Sequence, residues 1–317
     1  MAEETNGNNN WQQQTIEKLA LSGLKEQQTA RRWSIFFKLL FFIYLLALLF
    51  LSFGWIGGGK VSTGSHTALI EIAGVIEAGG DVNADSFMTS LNDAYENKGT
   101  KGIILRINSP GGSPVQSGII NEEIRRQKRL HPAIPVYAVV EDICASGGYY
   151  IAAAADKIYV DKASIVGSIG VLMDSYGFTE TMKKLGVERR LLTAGSNKAM
   201  LDPFSPVNPK HEAYAQNMLN QIHEQFKTVV REGRGKRLIE DDQTFSGLFW
   251  SGEQSIKIGL ADALGSADFV AREVIKQKDI VDFTYQETIT DRFAKRLGAS
   301  IVKSIGIDAI TKGIQLK

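Results

Sequence analysis

Two glycine-containing stretches hold the residues best equipped for chemistry. The first is Cys144-Ala145-Ser146-Gly147-Gly148-Tyr149-Tyr150, which follows an apolar strand-like run and opens an apolar helix-like one. A serine at a strand-to-helix turn, surrounded by small residues, is open to a substrate arriving from above. The helix start behind it offers backbone donors, with the Gly147 N–H foremost. The plainer role for Ser146 is that of a helix cap, which serine often fills. The second stretch is Ile107-Asn108-Ser109-Pro110-Gly111-Gly112-Ser113-Pro114. Here Ser113, Pro114 and Gln116 fit a capping box with proline at the first helical position. Gly111 and Gly112 let backbone N–H groups approach a ligand with no Cβ in the way, an arrangement that suits an anion or a developing oxyanion. A turn that merely needs a flexible backbone has the same composition.

A nucleophilic serine needs a base. The four histidines, His66, His131, His211 and His223, are scattered, so a Ser-His-Asp triad has no support in their spacing. Lysine can serve if desolvation brings its pKa toward neutrality. Lys198 is the candidate: it follows Thr193-Ala194-Gly195-Ser196-Asn197 and precedes Ala199-Met200-Leu201, with few charges close by. Cys144 offers a rival thiol nucleophile, although a small residue at the end of a strand is more simply a core residue. Asp142 and Asp174 read as caps or turn residues.

Composition removes other chemistries. A single cysteine excludes an internal disulfide, thiolate zinc sites and Cys-x-x-Cys redox exchange, and no histidines sit at metal-ligand spacing. No metal or organic cofactor is expected. Thirty-six basic against 35 acidic side chains give a formal charge of +1, which argues against nucleic acid as the partner. Hydrophobic content of 44% over 317 residues is enough to build a core.

The elements that must position these turns alternate in type. Thr67–Ile72, Gly102–Ile107, Val136–Val140 and Lys157–Val160 read as Ile/Val-rich strands, with helices over Ala84–Asn97, Pro114–Leu130 and Gly147–Ala155. Arg190–Thr193 reads as a further short strand. A long helix is expected over Pro209–Glu232, capped by Asn208 and stopped at Gly233. This is an α/β pattern.

Ahead of it lies Leu39–Ile56, 18 residues without a charge, preceded by Arg31, Arg32 and Lys38 and flanked by Trp33 and Trp55. Its length matches the hydrocarbon thickness of a bilayer. A cleaved signal peptide is disfavoured by the long apolar run and the long leading segment. The Asn/Gln/Glu-rich residues 1–30 read as a mostly mobile tail, and the charge asymmetry puts residues 1–38 in the cytoplasm and residues 60–317 outside the membrane. Thr290–Lys317 is basic and partly amphipathic.

Together, Ser109-Pro110-Gly111-Gly112, Ala145-Ser146-Gly147-Gly148-Tyr149, Ser164-Ile165-Val166-Gly167-Ser168-Ile169-Gly170-Val171 and Ala194-Gly195 with Lys198 occur in order, followed by Pro203-Phe204. The chain thereby resembles the signal peptide peptidase A family of serine peptidases, family S49, in its short single-unit form. Phe249-Trp250-Ser251-Gly252 and Ile258-Gly259-Leu260-Ala261-Asp262 are similar to that family's C-terminal signature. The resemblance spans about Thr67 to Val274. It implies a crotonase/Clp-protease-like spiral of ββα units and a Ser-Lys dyad, with Ser146 as nucleophile and Lys198 as general base. Ser168 would position the lysine, and the N–H groups of Gly112 and Gly147 would form the oxyanion site. It also implies a homo-oligomeric ring in a bacterial inner membrane, with the dyad shared between subunits. The implied substrates are signal peptides and other apolar peptides left in the membrane. The same motifs leave room for broader membrane-protein quality control, a non-peptidase scaffold, or a crotonase-like acyl-thioester enzyme. The intact serine, lysine and paired turns weigh against the last two. The N-terminal tail has no role in this resemblance. The Ser205–Pro209 loop and the basic stretch Arg231–Arg237 are either plain connections or a chamber rim.

Overall fold

A computed structural model describes residues 4–52 and 64–286, in two compact units. Among the described residues the first consists of one helix, α1 (Glu4–Ser52). The expectation of a mobile tail is corrected here, because residues 4–38 belong to the same uninterrupted helix as the apolar run. The segment contains no proline, and a helix once nucleated extends at little cost per residue. Within it Lys25–Phe50 is long and apolar enough to cross a membrane, at 26 residues or about 39 Å. Its side chains, from Trp33 through Leu49, are exposed. Leu39–Ser52 of the expected span belong to this helix, while Phe53–Ile56 lie outside the described residues, as does the basic segment Thr290–Lys317.

The second unit is built on an eight-stranded, almost wholly parallel sheet. Its elements are β1 (His66–Ala73), α2 (Ala84–Glu96), β2 (Thr100–Ser109), α3 (Pro114–Leu130), β3 (Val136–Ala145), α4 (Gly147–Ala152), β4 (Lys157–Val160) and β5 (Ile165–Gly167). Then come α5 (Thr179–Lys184), α6 (Pro209–Arg234), β6 (Phe249–Ser251), α7 (Gly252–Lys257), β7 (Ala263–Leu264), a π-helical turn at Val270–Ile275, and β8 (Ile280–Asp282). The α/β class expected from the alternation is what is found. Strands run in the order β6-β5-β3-β2-β1-β8, and β4 pairs with both β3 and β7.

Buried parallel strands carry continuous apolar runs because both faces are covered. Ile103, Ile104, Leu105 and Ile107 of β2 are fully buried. One face packs Leu91 of α2, Ile120 and Ile124 of α3 and Tyr149 of α4 into the main core. The other face buries Leu69, Ile104 and Val139 beneath Val270 and Ala271 of the π turn.

The sheet forks at β3. Tyr137–Val139 pair with β4, whereas Ile143–Ala145 pair with β5. Registers Ser109↔Cys144 and Ala145↔Gly167 bring the C-terminal ends of β2, β3 and β5 side by side. In open parallel sheets this is the edge where ligands bind.

Three local expectations are corrected. Helix α6 starts as expected, with Asn208 accepting from the Lys210 N–H at 3.0 Å, but it ends at Gly235, whose φ is +53°. Gly233 lies inside the helix, and a Cβ there would stand 2.0 Å from the Ala153 carbonyl oxygen. Its role is close packing on the end of α4. Arg190–Thr193 is an exposed loop without strand pairing. The Ser113 cap is real, accepting from the Gln116 N–H at 3.3 Å, but the reciprocal half of the box is absent. The Ser113 N–H is already committed to the Ile76 oxygen at 2.7 Å, so Gln116 Oε1 accepts from the Ala84 N–H at the start of α2 instead.

Candidate active site

Ser146 occupies the N-cap of α4 with φ +51° and ψ −120°, and its side chain makes no capping hydrogen bond. A non-glycine residue at positive φ costs free energy and persists only where its surroundings hold it. Here they do. The Ser146 N–H donates to the Gly167 oxygen of β5 at 2.8 Å, and its carbonyl accepts from the Tyr150 N–H at 3.0 Å. The hydroxyl, released from capping, is presented at the sheet edge as at a nucleophile elbow.

Opposite stands the turn after β2. Gly111 has φ +103°, and a Cβ there would lie 2.7 Å from both the Gly147 nitrogen and Ser146 Cβ. Gly112 has φ +148°, and its Cβ would lie 2.1 Å from the Ile76 oxygen. Only glycine lets these two turns nest so closely. Ser109 secures the turn from below: its hydroxyl donates to the Gly74 oxygen at 2.6 Å and accepts from the Gly111 N–H at 3.2 Å. Among the described residues the N–H groups of Gly112 and Gly147 donate to no other group. Paired free amides beside a serine hydroxyl have the composition of an oxyanion site.

These turns open into a cleft of about 530 Å³ that Gly112, Ser146, Gly147 and Ser168 line together. Ser168 also has φ +51°, held by its N–H donating to the Leu248 oxygen at 2.7 Å. Tyr150, Val171, Leu172, Ile222 and Phe226 supply an apolar wall. Sequence reasoning did not find that wall, because Ile222 and Phe226 come from α6, far along the chain. Their helical spacing was the available signal. Gly167 was visible within its motif, but not its task of anchoring the Ser146 amide.

Two candidates fall outside the cleft. Lys198 lies on the arm between β5 and α6, with an exposed side chain and its N–H donating to the Gly195 oxygen at 3.1 Å. That arm exposes Leu172 at 83% and Leu192 at 96%. Cys144 is fully buried beneath the turn, and burial pushes its thiol far above the usual range. A thiol kept neutral is no nucleophile.

Beneath α4 the C-terminal signature explains itself structurally. Tyr149 donates to the Leu260 oxygen at 2.7 Å. Arg234, 1% exposed, pairs with Asp262 at 2.8 Å and donates to the Gly259 oxygen. Burial raises the Asp262 pKa, but the Arg234 hydrogen bond and charge outweigh it and hold the carboxyl below its ordinary value. Trp250 of β6 packs where a Cβ on Gly167 would stand, so this edge strand braces the anchor of the Ser146 amide.

The sequence profile of peptidase family S49 matches residues 128–281. A protein of Enterococcus faecium named for signal peptide peptidase SppA is 31% identical over 232 residues, covering 72% of this chain and 67% of its own. The chain belongs to peptidase family S49. Protease 4 of Haemophilus influenzae, 27% identical, aligns with 78% of this chain and 43% of its own length. A Brucella melitensis protein named Na(+)/H(+) antiporter NhaA is 46% identical over 175 residues, covering 55% of this chain. The match takes in only 24% of that protein, and 25% of its Brucella abortus counterpart, so the chain spans about a quarter of these relatives. The S49 profile match takes in Ser146, Ser168 and Lys198, whereas the Gly112 turn precedes it.

Proposed function

We propose that the chain is a membrane-anchored serine endopeptidase that uses a Ser146-Lys198 dyad to degrade signal peptides and other apolar peptides left in the membrane. The observation that carries this reading is the strained, uncapped Ser146 facing two free backbone amides across an apolar cleft. Neutral Lys198 takes the Ser146 hydroxyl proton as Oγ attacks a peptide carbonyl. The Gly112 and Gly147 N–H groups receive the oxyanion, the lysine returns the proton to the leaving amine, and water hydrolyses the acyl-enzyme. Ser168, on the same cleft, positions the lysine ammonium.

Because Lys198 stands on an exposed arm outside the cleft, the reading includes a homo-oligomer in which the base reaches the serine of a neighbouring copy. The arm's exposed leucines are the apolar surface such an assembly would bury. The apolar surface of α1 favours a lipid environment, and the preceding Arg31, Arg32 and Lys38 favour a cytoplasmic N-terminus, with the sheet unit on the outer side of a bacterial inner membrane. Neither a cofactor nor nucleic acid enters the mechanism.

The test is hydrolysis of a synthetic signal peptide by the full chain in detergent, beside Ser146→Ala and Lys198→Ala. Both variants should lose cleavage while assembling as the wild type does. Activity retained by Ser146→Ala would exclude the nucleophile, and activity retained by Lys198→Ala the base.

A further inference from the structure

Two of the four histidines that the dyad leaves unused, His211 and His223, lie on α6. Both reach the arm between β5 and α6. The His223 ring donates from Nε2 to the Ile169 oxygen at 3.1 Å, and the His211 ring from Nε2 to Asn197 Oδ1 at 3.2 Å. Each acceptor is a carbonyl oxygen, so Nε2 carries the proton in both rings. One bond falls on the residue after Ser168, the other on the residue before Lys198.

These bonds matter because little else holds the arm to the body. From Leu172 to Lys198 every residue except Thr179 and Met182 is exposed. The arm does have ties of its own. The Phe178 N–H donates to the Pro203 oxygen at 2.7 Å, Phe178 stacks on Phe204, and Arg189 pairs with Asp202. Around the lysine, the Lys198 N–H donates to the Gly195 oxygen at 3.1 Å and the Met200 N–H to the Asn197 oxygen at 3.0 Å. To the rest of the sheet unit, sequence neighbours aside, residues 169–207 make two hydrogen bonds and no ion pair among the described residues. Both come from these histidines.

Helix α6 is itself fixed. Phe226 and Val230 are buried in the main core, and Arg234 pairs with Asp262 beneath α4. The two histidines stand about 18 Å apart along it. They grip the arm at its root and at the turn that carries Lys198. We infer that His211 and His223 are positioning residues for the general base: through them α6 sets where the arm carries Lys198. The inference rests on Lys198 being that base. Neither histidine touches the substrate or moves a proton.

The experiment compares wild type, His211→Phe, His223→Phe, His211→Gln, His223→Gln and Lys198→Ala, all as full chains in detergent, on one fluorogenic apolar peptide. Phenylalanine keeps the ring and removes the donor, whereas glutamine restores an N–H near the position of Nε2. Misplacing a catalytic group by about 1 Å can cost on the order of 10² in rate, and each single variant keeps the other tie. Each phenylalanine variant should therefore lower kcat about tenfold with KM within about twofold, and glutamine should recover most of the loss. Amide exchange across residues 185–200 should quicken in the phenylalanine variants, return with glutamine, and stay unchanged in β2 and β3. Unchanged kcat in both phenylalanine variants would overturn the inference. So would a loss that glutamine fails to restore, or one accompanied by faster exchange throughout β2 and β3, which would make the histidines packing residues. Cleavage retained by Lys198→Ala would instead overturn the base assignment, and the exchange data would still show whether the histidines hold the arm.

Discussion

Gly112→Ala tests the geometry of the site most directly. The added methyl would sit 2.1 Å from the Ile76 oxygen, a backbone atom that cannot swing away like a side chain. Ordinary contact begins near 3.4 Å, so either the turn or the β1 extension must move by more than 1 Å. The φ of +148° adds backbone strain of about 1–3 kcal/mol for a non-glycine residue. The same displacement pulls the Gly112 N–H away from the oxygen it would bind. Losing one oxyanion donor costs about 2.7–4 kcal/mol of transition-state stabilisation, or roughly 10²–10³ in kcat. Gly118→Ala is the control, six residues along on α3, where an added Cβ meets nothing within 4 Å. There alanine should leave kcat unchanged and stabilise by about 0.5–1 kcal/mol, as alanine does within a helix. The assay is signal-peptide hydrolysis under saturating substrate, read alongside thermal unfolding. If Gly112→Ala folds and cleaves within tenfold of wild type, the turn does not hold the oxyanion.

Other outcomes follow from the surroundings of the site. Asp262→Ala leaves Arg234 charged and buried, and should cost about 3–5 kcal/mol in chemical denaturation. A loss below about 1 kcal/mol would show the ion pair to be unimportant. Because the folded-state Asp262 pKa lies below its ordinary value, its contribution is complete above about pH 4, the unfolded value, and disappears as pH falls through the folded one. The alanine variant should therefore lose part of the wild type's acid sensitivity in that window. Cys144 should resist iodoacetamide in the native protein and react only on unfolding, and its rapid alkylation at neutral pH would contradict its burial.

The parts of this molecule legible in its sequence are those set by local chemistry. The strands around Ile103–Ile107 and Val136–Val140 announce themselves because parallel strands covered on both faces are apolar throughout. Helices α3 and α6 start where proline follows a capping residue. Gly112, Ser146 and Gly147 are visible because a turn that forbids side chains must be written in glycine. What stayed hidden depends on distant partners. Three-residue strands such as β5 and β6 are too short to show a period and exist through their pairing. Gly233 looks like a helix stop until Ala153 is found against it. The apolar wall from Ile222 and Phe226 belongs to a helix whose position no local pattern specifies. The polar half of the N-terminal helix was missed for the opposite reason, since it has weak periodicity of its own and continues an apolar half that does form a helix.

The exposed arm that holds Lys198 away from the cleft has a genetic consequence. If serine and lysine meet only across a boundary between chains, each catalytic unit draws on two copies of the chain. A chain carrying Ser146→Ala still offers its lysine, and one carrying Lys198→Ala still offers its serine. Mixed by unfolding and joint reassembly, these two inactive proteins should regain cleavage at the boundaries where an intact serine faces an intact lysine. By the same count a chain carrying both substitutions disables the two sites it helps to form, whereas either single substitution disables only one.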